Sequence, residues 1–259
     1  MQRKIFTATV LGSLAVLAGC NQPTDQQRMW LAEGERAYKQ QHYEQAVQQL
    51  SQFVNAAPQR PEVGRALYVR ALAQAHQNER SQARSDLERC VRSTDDPDVR
   101  WRAYAVLGTL DYEDGQWATA GRVYAAAIAD APREPPTDVM LFRLGVCCER
   151  SGRWDDARGP YQRLLVEYPE SKLRDSAQRR LDINADHFAI QCGLFSSSEN
   201  AENMMHDLER NGMVPRIRRE TRNRAIYHVV LVGRYGSYEE ALRDLARVKG
   251  YVPKAVIWP

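Results

Sequence analysis

Phe188-Ala189-Ile190-Gln191-Cys192-Gly193-Leu194-Phe195 alternates apolar side chains with a single amide, the pattern of a strand half-buried against a core. Alternation puts Ile190 and Cys192 on one side and Ala189, Gln191 and Gly193 on the other. Ser198 to Leu208 follows with helical spacing, then apolar runs at about Met213 to Arg218 and Ile226 to Val232 predict two more strands. Gly233-Arg234-Tyr235 repeats the Gly-x-aromatic ending of the first strand, and Ser237-Tyr238-Glu239-Glu240-Ala241-Leu242 opens a second helix. A last strand is expected over Lys254 to Trp258, which completes a βαββαβ unit from His187 to Pro259. Two helices cover one face of such a sheet, with Val230 and Val232 in that core. The other face is expected to be free. Tyr227, Val229 and Leu231 join Gln191 there, beside Arg216 and Arg218, with Trp258 near the edge.

Upstream of this unit the chain repeats. Ala46, Ala83, Ala120 and Ala157 stand 37 residues apart, and Gly34, Ala71, Gly108 and Gly145 share the period. So do Leu50, Leu87, Tyr124 and Tyr161, and so do Trp30, Leu67, Tyr104 and Leu141. Pro58, Asp95, Pro132 and Pro169 mark the ends of the units. A fixed period of this length indicates a helical solenoid. Paired helices cross closely only where facing residues are small, large residues are expected to fill the holes between successive units, and proline stops the second helix. Leu173 to Ile183 is amphipathic and is expected to cap the apolar face of the last unit. The spacing resembles the tetratricopeptide (TPR) repeat, with three extra residues between units. That resemblance implies a surface that recruits a protein or peptide. Glu33, Glu35, Arg36, Arg100 and Arg102 are expected on the outer faces.

The 36 basic and 33 acidic side chains nearly balance, for a formal charge of +3, so composition gives no argument for nucleic acid. Arg216, Arg218, Arg219, Arg222 and Arg224 cluster without interleaved aromatics and read as a solvated strand edge and loop. Gln2-Arg3-Lys4 followed by apolar Ile5 to Ala18 is a targeting segment too short to span a bilayer comfortably. It ends Leu17-Ala18-Gly19-Cys20, which resembles the bacterial lipobox and implies a signal peptide over 1–19 with lipidation at Cys20. Acyl chains contribute ~0.8 kcal/mol per buried methylene, enough for stable membrane anchoring. Asn21 after the cysteine leans, by the same resemblance, toward the outer membrane. Cys90, Cys147, Cys148 and Cys192 lack metal-ligand spacing and read as small buried apolar residues.

The histidines, His42, His76, His187, His206 and His228, share no spacing, and HExxH, GxxxxGK and GxSxG motifs are missing from the sequence. No catalytic residue, metal or cofactor is expected. Asp155-Asp156 behind Trp154 reads as a helix cap, in a turn that recurs as His42-Tyr43-Glu44 and Gly115-Gln116-Trp117.

The pair of strand–Gly–aromatic–helix units, 193–195 and 233–235 with the helices behind them, resembles the sporulation-related repeat (SPOR) domain, a bacterial module that binds peptidoglycan. The resemblance implies denuded glycan strands as ligand and a site made of Gln191, Gly193, Arg218, Tyr227 and Trp258. Gln191 supplies an amide that both donates and accepts, and Tyr227 a ring for a pyranose face. Leu194 stands where the family has a turn serine, and Val229 where many members are polar. The alternative is a ferredoxin-like or RNP-like unit used for protein contacts alone.

The expected fold class is therefore an all-helical TPR-like solenoid followed by a small α/β unit. Its segments are 1–19 signal peptide, 20–25 lipidated tether, 26–172 four repeats, 173–186 cap and linker, and 187–259 SPOR-like domain. The expected protein is a non-enzymatic envelope lipoprotein facing the periplasm, with septal placement open. Its expected partners are peptidoglycan, the membrane through the N-terminal lipid, and an unidentified protein on the solenoid. The rival expectation is a scaffold for outer-membrane or secretion machinery, with the C-terminal unit docking protein.

Overall fold

The computed structural model describes residues 22–222 and 225–259. Cys20 and its leader, and Arg224, lie outside the described residues.

Four helix pairs form the solenoid: α1 (Asp25–Lys39) with α2 (Tyr43–Ala56), α3 (Val63–His76) with α4 (Arg80–Ser93), α5 (Pro97–Glu113) with α6 (Trp117–Asp130), and α7 (Thr137–Arg150) with α8 (Trp154–Glu167). Helix α9 (Arg174–Ile183) closes the stack. Thr24 opens α1 with a capping box, and Asp96 caps α5 through its carboxylate. The small residues of the period sit at the tightest crossings. A Cβ on Gly34, Gly108 or Gly145 would overlap Leu50, Tyr124 or Tyr161 respectively. The large residue thus packs on the glycine of its own helix pair and also lies in the core shared with the next pair, Leu50 with Leu67 and Tyr124 with Leu141. Asp155 and Asp156 lie in the first turn of α8, where Arg153 is the N-cap and makes no side-chain cap bond. They favour the helix dipole without capping it.

The C-terminal unit runs β1 (Phe188–Phe195), α10 (Ser198–Arg210), β2 (Pro215–Arg222), β3 (Ala225–Tyr235), α11 (Tyr238–Lys249) and β4 (Val256–Trp258). Ser197 and Ser237 cap the two helices, the second with a capping box from Glu240. The strands order β2-β3-β1-β4, all neighbours antiparallel. Strand β2 continues past the expected Arg218, to Arg222. One sheet face packs under α10 and α11 through Ile190, Cys192, Leu208, Val230, Val232 and Val248, the core that alternation predicts.

The other face is not free. Ala189, Val229 and Leu231 are fully buried and Trp258 nearly so, packed with Ile183 of α9 and Ala185 of the linker. The expectation omitted the solenoid: α9 ends directly against this face, and the apolar strip down the sheet centre is what it covers.

The two halves also meet through aromatic rings. Trp154 packs on Phe188 with centroids 4.7 Å apart, and Trp117 meets Tyr238 edge-on at 5.8 Å. The Arg150 guanidinium lies over both Trp117 (4.2 Å) and Tyr238 (4.0 Å). In the first repeat the same turn slot holds Tyr43, which stacks on His76 inside the solenoid at 4.3 Å.

Candidate functional site

A bulge in β1 decides which residues share a face. Gln191 pairs with Leu231, but Gly193 pairs with Val230, so two residues of β1 pass one step of β3. Beyond the bulge Leu194 pairs with Val229 and Phe195 with His228. Cross-strand partners share a face. Gly193 therefore faces the helices, contrary to the simple alternation, and its missing Cβ makes room for the Phe195 ring. Gly233 does the same for Tyr235 and adopts φ +75°, a backbone region open to glycine. Leu194 takes the second face and is 37% exposed.

On that second face β2 presents Arg216, Arg218, Glu220 and Arg222, every other residue. These arginines are not a solvated edge. Arg216 donates to the Gly233 carbonyl at 2.5 Å and to Nε2 of His187 at 2.7 Å, which leaves Nδ1 of His187 to donate to Asp186. Burial, with Arg234 and Arg218 nearby, pulls the Arg216 guanidinium below its ordinary value. Asp186 also pairs with Arg234 at 2.7 Å. The His187 hydrogen bond and the Arg234 charge hold its carboxyl below the usual carboxylate range. Arg218 donates to the Ile183 carbonyl at 2.6 Å and lies 5.1 Å over the Trp258 ring. It thus ties the last turn of α9 to the sheet.

Trp258 starts on the edge strand β4, but its indole crosses the face and donates to the buried Glu220 at 2.8 Å. Glu220 also accepts from Arg222 at 2.7 Å. Sequence reasoning missed Glu220. The signal was present in its parity, since it shares the period-two register of the three arginines around it.

Among the expected site residues, Gln191 and Trp258 line a common cavity of about 210 Å³, together with Arg222, Ile257, Pro259 and, from the solenoid, Phe142, Ser176, Arg179, Arg180 and Ile183. The half-buried Gln191 amide has no hydrogen-bond partner among the described residues. Tyr227 is half-buried on the same face beside Glu220, four residues along β3 from the partner of Gln191, a span of ~13 Å. Gly193 stands apart on the helix side, and Arg218 is engaged with α9. The geometry therefore brings Gln191 and Trp258 together, leaves Tyr227 at the far end of the same face, and withdraws Gly193 from it.

A second concavity, of about 860 Å³, lies on the solenoid and is walled by Tyr112, Val139, Phe142, Tyr168 and Leu173. Asp138 lines it, accepts from Ser171 at 2.6 Å with one oxygen, and has no partner for the other. Phe142 lines both this groove and the cavity at Gln191.

Cys90, Cys147, Cys148 and Cys192 are buried and unpaired, and burial pushes the Cys90 and Cys147 thiols up to about 12 and Cys192 to about 11. Among the described residues there is no metal-ligand cluster, and no helix is long and apolar enough to cross a membrane.

The sequence matches the tetratricopeptide repeat family over residues 31–98 and 105–172, more than half of the chain. The chain belongs to that family. Residues 184–258 match the SPOR domain, so the repeats end in a second binding module of a different class. No curated protein matches the chain. A solved crystal structure of MamA protein is 16% identical, with a TM-score of 0.50 over 61% of this chain and 80% of that one. A second solved structure, of MamA AMB-1, is 22% identical over 61% and 80%, with a TM-score of 0.49. At 16% identity the first of these likenesses speaks for the fold alone. TPR repeats point to protein interaction and SPOR domains to peptidoglycan, and both are binding modules.

Proposed function

We propose that this chain is a non-enzymatic lipoprotein of the bacterial cell envelope that binds peptidoglycan glycan strands through residues 187–259 and recruits a protein partner through its solenoid. The observation that carries the reading is the SPOR match over 184–258, joined to an unpartnered Gln191 amide in a cavity walled by Trp258. The lipobox ending at Cys20 supplies the anchor, with an outer-membrane, periplasm-facing location and a role in division or wall remodelling as the finer reading. The apolar groove at Phe142 and Tyr168, with its unpaired Asp138 oxygen, suits a partner segment with an apolar side chain and a donor.

The deciding experiment is co-sedimentation of the full chain with purified sacculi, before and after amidase treatment. Binding that rises after amidase treatment is expected. Failure to sediment with either would overturn the wall-binding reading. Cell-wall clearing by the purified chain in a zymogram would overturn the non-enzymatic one.

A second reading, a scaffold for outer-membrane or secretion machinery, draws on the exposed apolar residues Leu194 and Val256, which share the second face. Val229 lends it nothing, being buried beneath Ile183. Crosslinking from Leu194 in cells separates the readings by whether glycan or assembly protein is captured.

A further inference from the structure

We propose that the solenoid completes the glycan site: Arg179 of α9, with Gln191 and Arg222 of the sheet, forms one pocket for a sugar that carries a free carboxylate. This inference rests on the glycan-binding reading and adds that the charge-reading residue lies outside the SPOR-like domain.

The cavity at Gln191 is bounded on one side by β1, β2 and β4 and on the other by α9. Its apolar walls include Trp258, Ile257 and Phe142, and its polar side chains are one amide, one hydroxyl (Ser176) and three guanidinium groups. No side-chain carboxylate lines it among the described residues. Two of the arginines are already neutralised: Arg180 pairs with the buried Glu149 at 2.5 Å, and Arg222 with Glu220 at 2.7 Å. Arg179 is exposed and has no hydrogen bond or ion pair among the described residues. Asp175 and Asp182 line the adjoining cavity that Arg179 also borders, and Asp182 is taken by Gln178 at 2.7 Å. The pocket thus offers one unspent cation, an unspent amide and a ring wall.

That set matches the chemistry of a muramic sugar whose stem peptide has been removed. The lactyl group of that sugar is joined to the peptide by an amide. Hydrolysis adds water across it, releasing the amine and leaving a carboxylate on the sugar. The carboxylate suits Arg179 as a charge-assisted acceptor, and the acetamido group suits Gln191 as donor and acceptor. A sugar still carrying its peptide has an uncharged amide at that position and a bulky chain attached to it.

The test uses the full chain and glycan strands released from sacculi by amidase, either with free lactyl carboxylates or with the same carboxylates converted to methylamides by carbodiimide. The expected result is binding about tenfold tighter to the free-carboxylate strands, weakening as salt is raised. Arg179→Gln is expected to abolish that preference, and Arg179→Lys to keep part of it, each with an unchanged melting temperature. Equal affinity for the two strands, or a preference that survives Arg179→Gln, overturns the composite site and leaves the glycan reading standing. Absence of binding to either strand by the unmodified chain overturns both.

Discussion

The two faces of the C-terminal sheet are built from the same strands and held by different physics. Under α10 and α11 the buried core is apolar, from Ile190 to Val248, with a Tyr235–Asp244 hydrogen bond beside it. On the other face a narrow apolar strip, Ala189, Val229 and Leu231, is covered by Ile183 and Trp258, and polar groups surround it. Arg216, Arg218, Glu220 and Arg222 are bound into a network with His187, Trp258 and the Ile183 carbonyl. A hydrophobic face specifies the fold because nothing else can occupy it. A mixed face that is only partly covered keeps room for a ligand, and the cavity at Gln191 lies at the border between the covered and open parts.

The comparison predicts unequal costs for equal truncations. Ile190→Ala empties a fully buried site between sheet and helices, where surrounding atoms cannot close the gap. About 2–5 kcal/mol of stability should be lost. Ile183→Ala removes a similar side chain from a contact between two separable parts. The linker can give way, so the cost is bounded by the transfer contribution, ~1.5–3 kcal/mol. Denaturant unfolding gives both values. Hydrogen exchange at Val229 and Leu231 should quicken in Ile183→Ala while the helix-side amides stay protected. Equal costs, with exchange unchanged, would mean that the second face is as rigid as the first.

What the sequence could reveal follows the same division. The 37-residue period exposed the solenoid because each glycine meets a large side chain of its own pair, Gly145 against Tyr161 for example, and such contacts tolerate little substitution. The helix-side core was legible because alternation holds along β3. Alternation failed where the bulge between Gln191 and Gly193 shifts the register, since one inserted residue moves all later side chains to the opposite face. Trp117 and Trp154 read as repeat architecture, being in a slot that recurs at Tyr43. Their contacts to Tyr238 and Phe188 join segments far apart in the chain, which no local pattern encodes. The same limit hid the covering of the sheet by Ile183.

Arg150 tests how firmly the solenoid holds the sheet in place. Its guanidinium is half-buried between Trp117 and Tyr238, and each such contact is worth about 0.5–2 kcal/mol according to its desolvation. Arg150→Ala should cost ~1–2 kcal/mol and loosen docking more than it unfolds either part. Small-angle scattering should show a broader distribution of distances, with helical content unchanged. Arg150→Lys should recover only part, since a compact ammonium cannot lie flat against two rings. A variant as compact as the parent would show that α9 and the arginine network hold the arrangement without the aromatic contact.

Gln191→Ala is the smallest perturbation in stability and the most informative about the second face. Ile190, one residue away, is locked in the helix-side core, whereas the Gln191 side chain lines the cavity and bonds to no described group. A residue bracing a neighbouring loop would carry a hydrogen bond to it. Without one, truncation should change stability by no more than about 0.5 kcal/mol. If the amide meets sugar, losing one or two hydrogen bonds should weaken sacculus binding by ~1–3 kcal/mol, about 5- to 150-fold. Tyr227→Ala should act in the same direction through lost ring contact at the far end of the face. Thermal unfolding and sacculus binding on the same preparation decide the matter. A lowered melting temperature with unchanged binding by the folded protein would assign Gln191 to the scaffold and move the ligand away from this cavity.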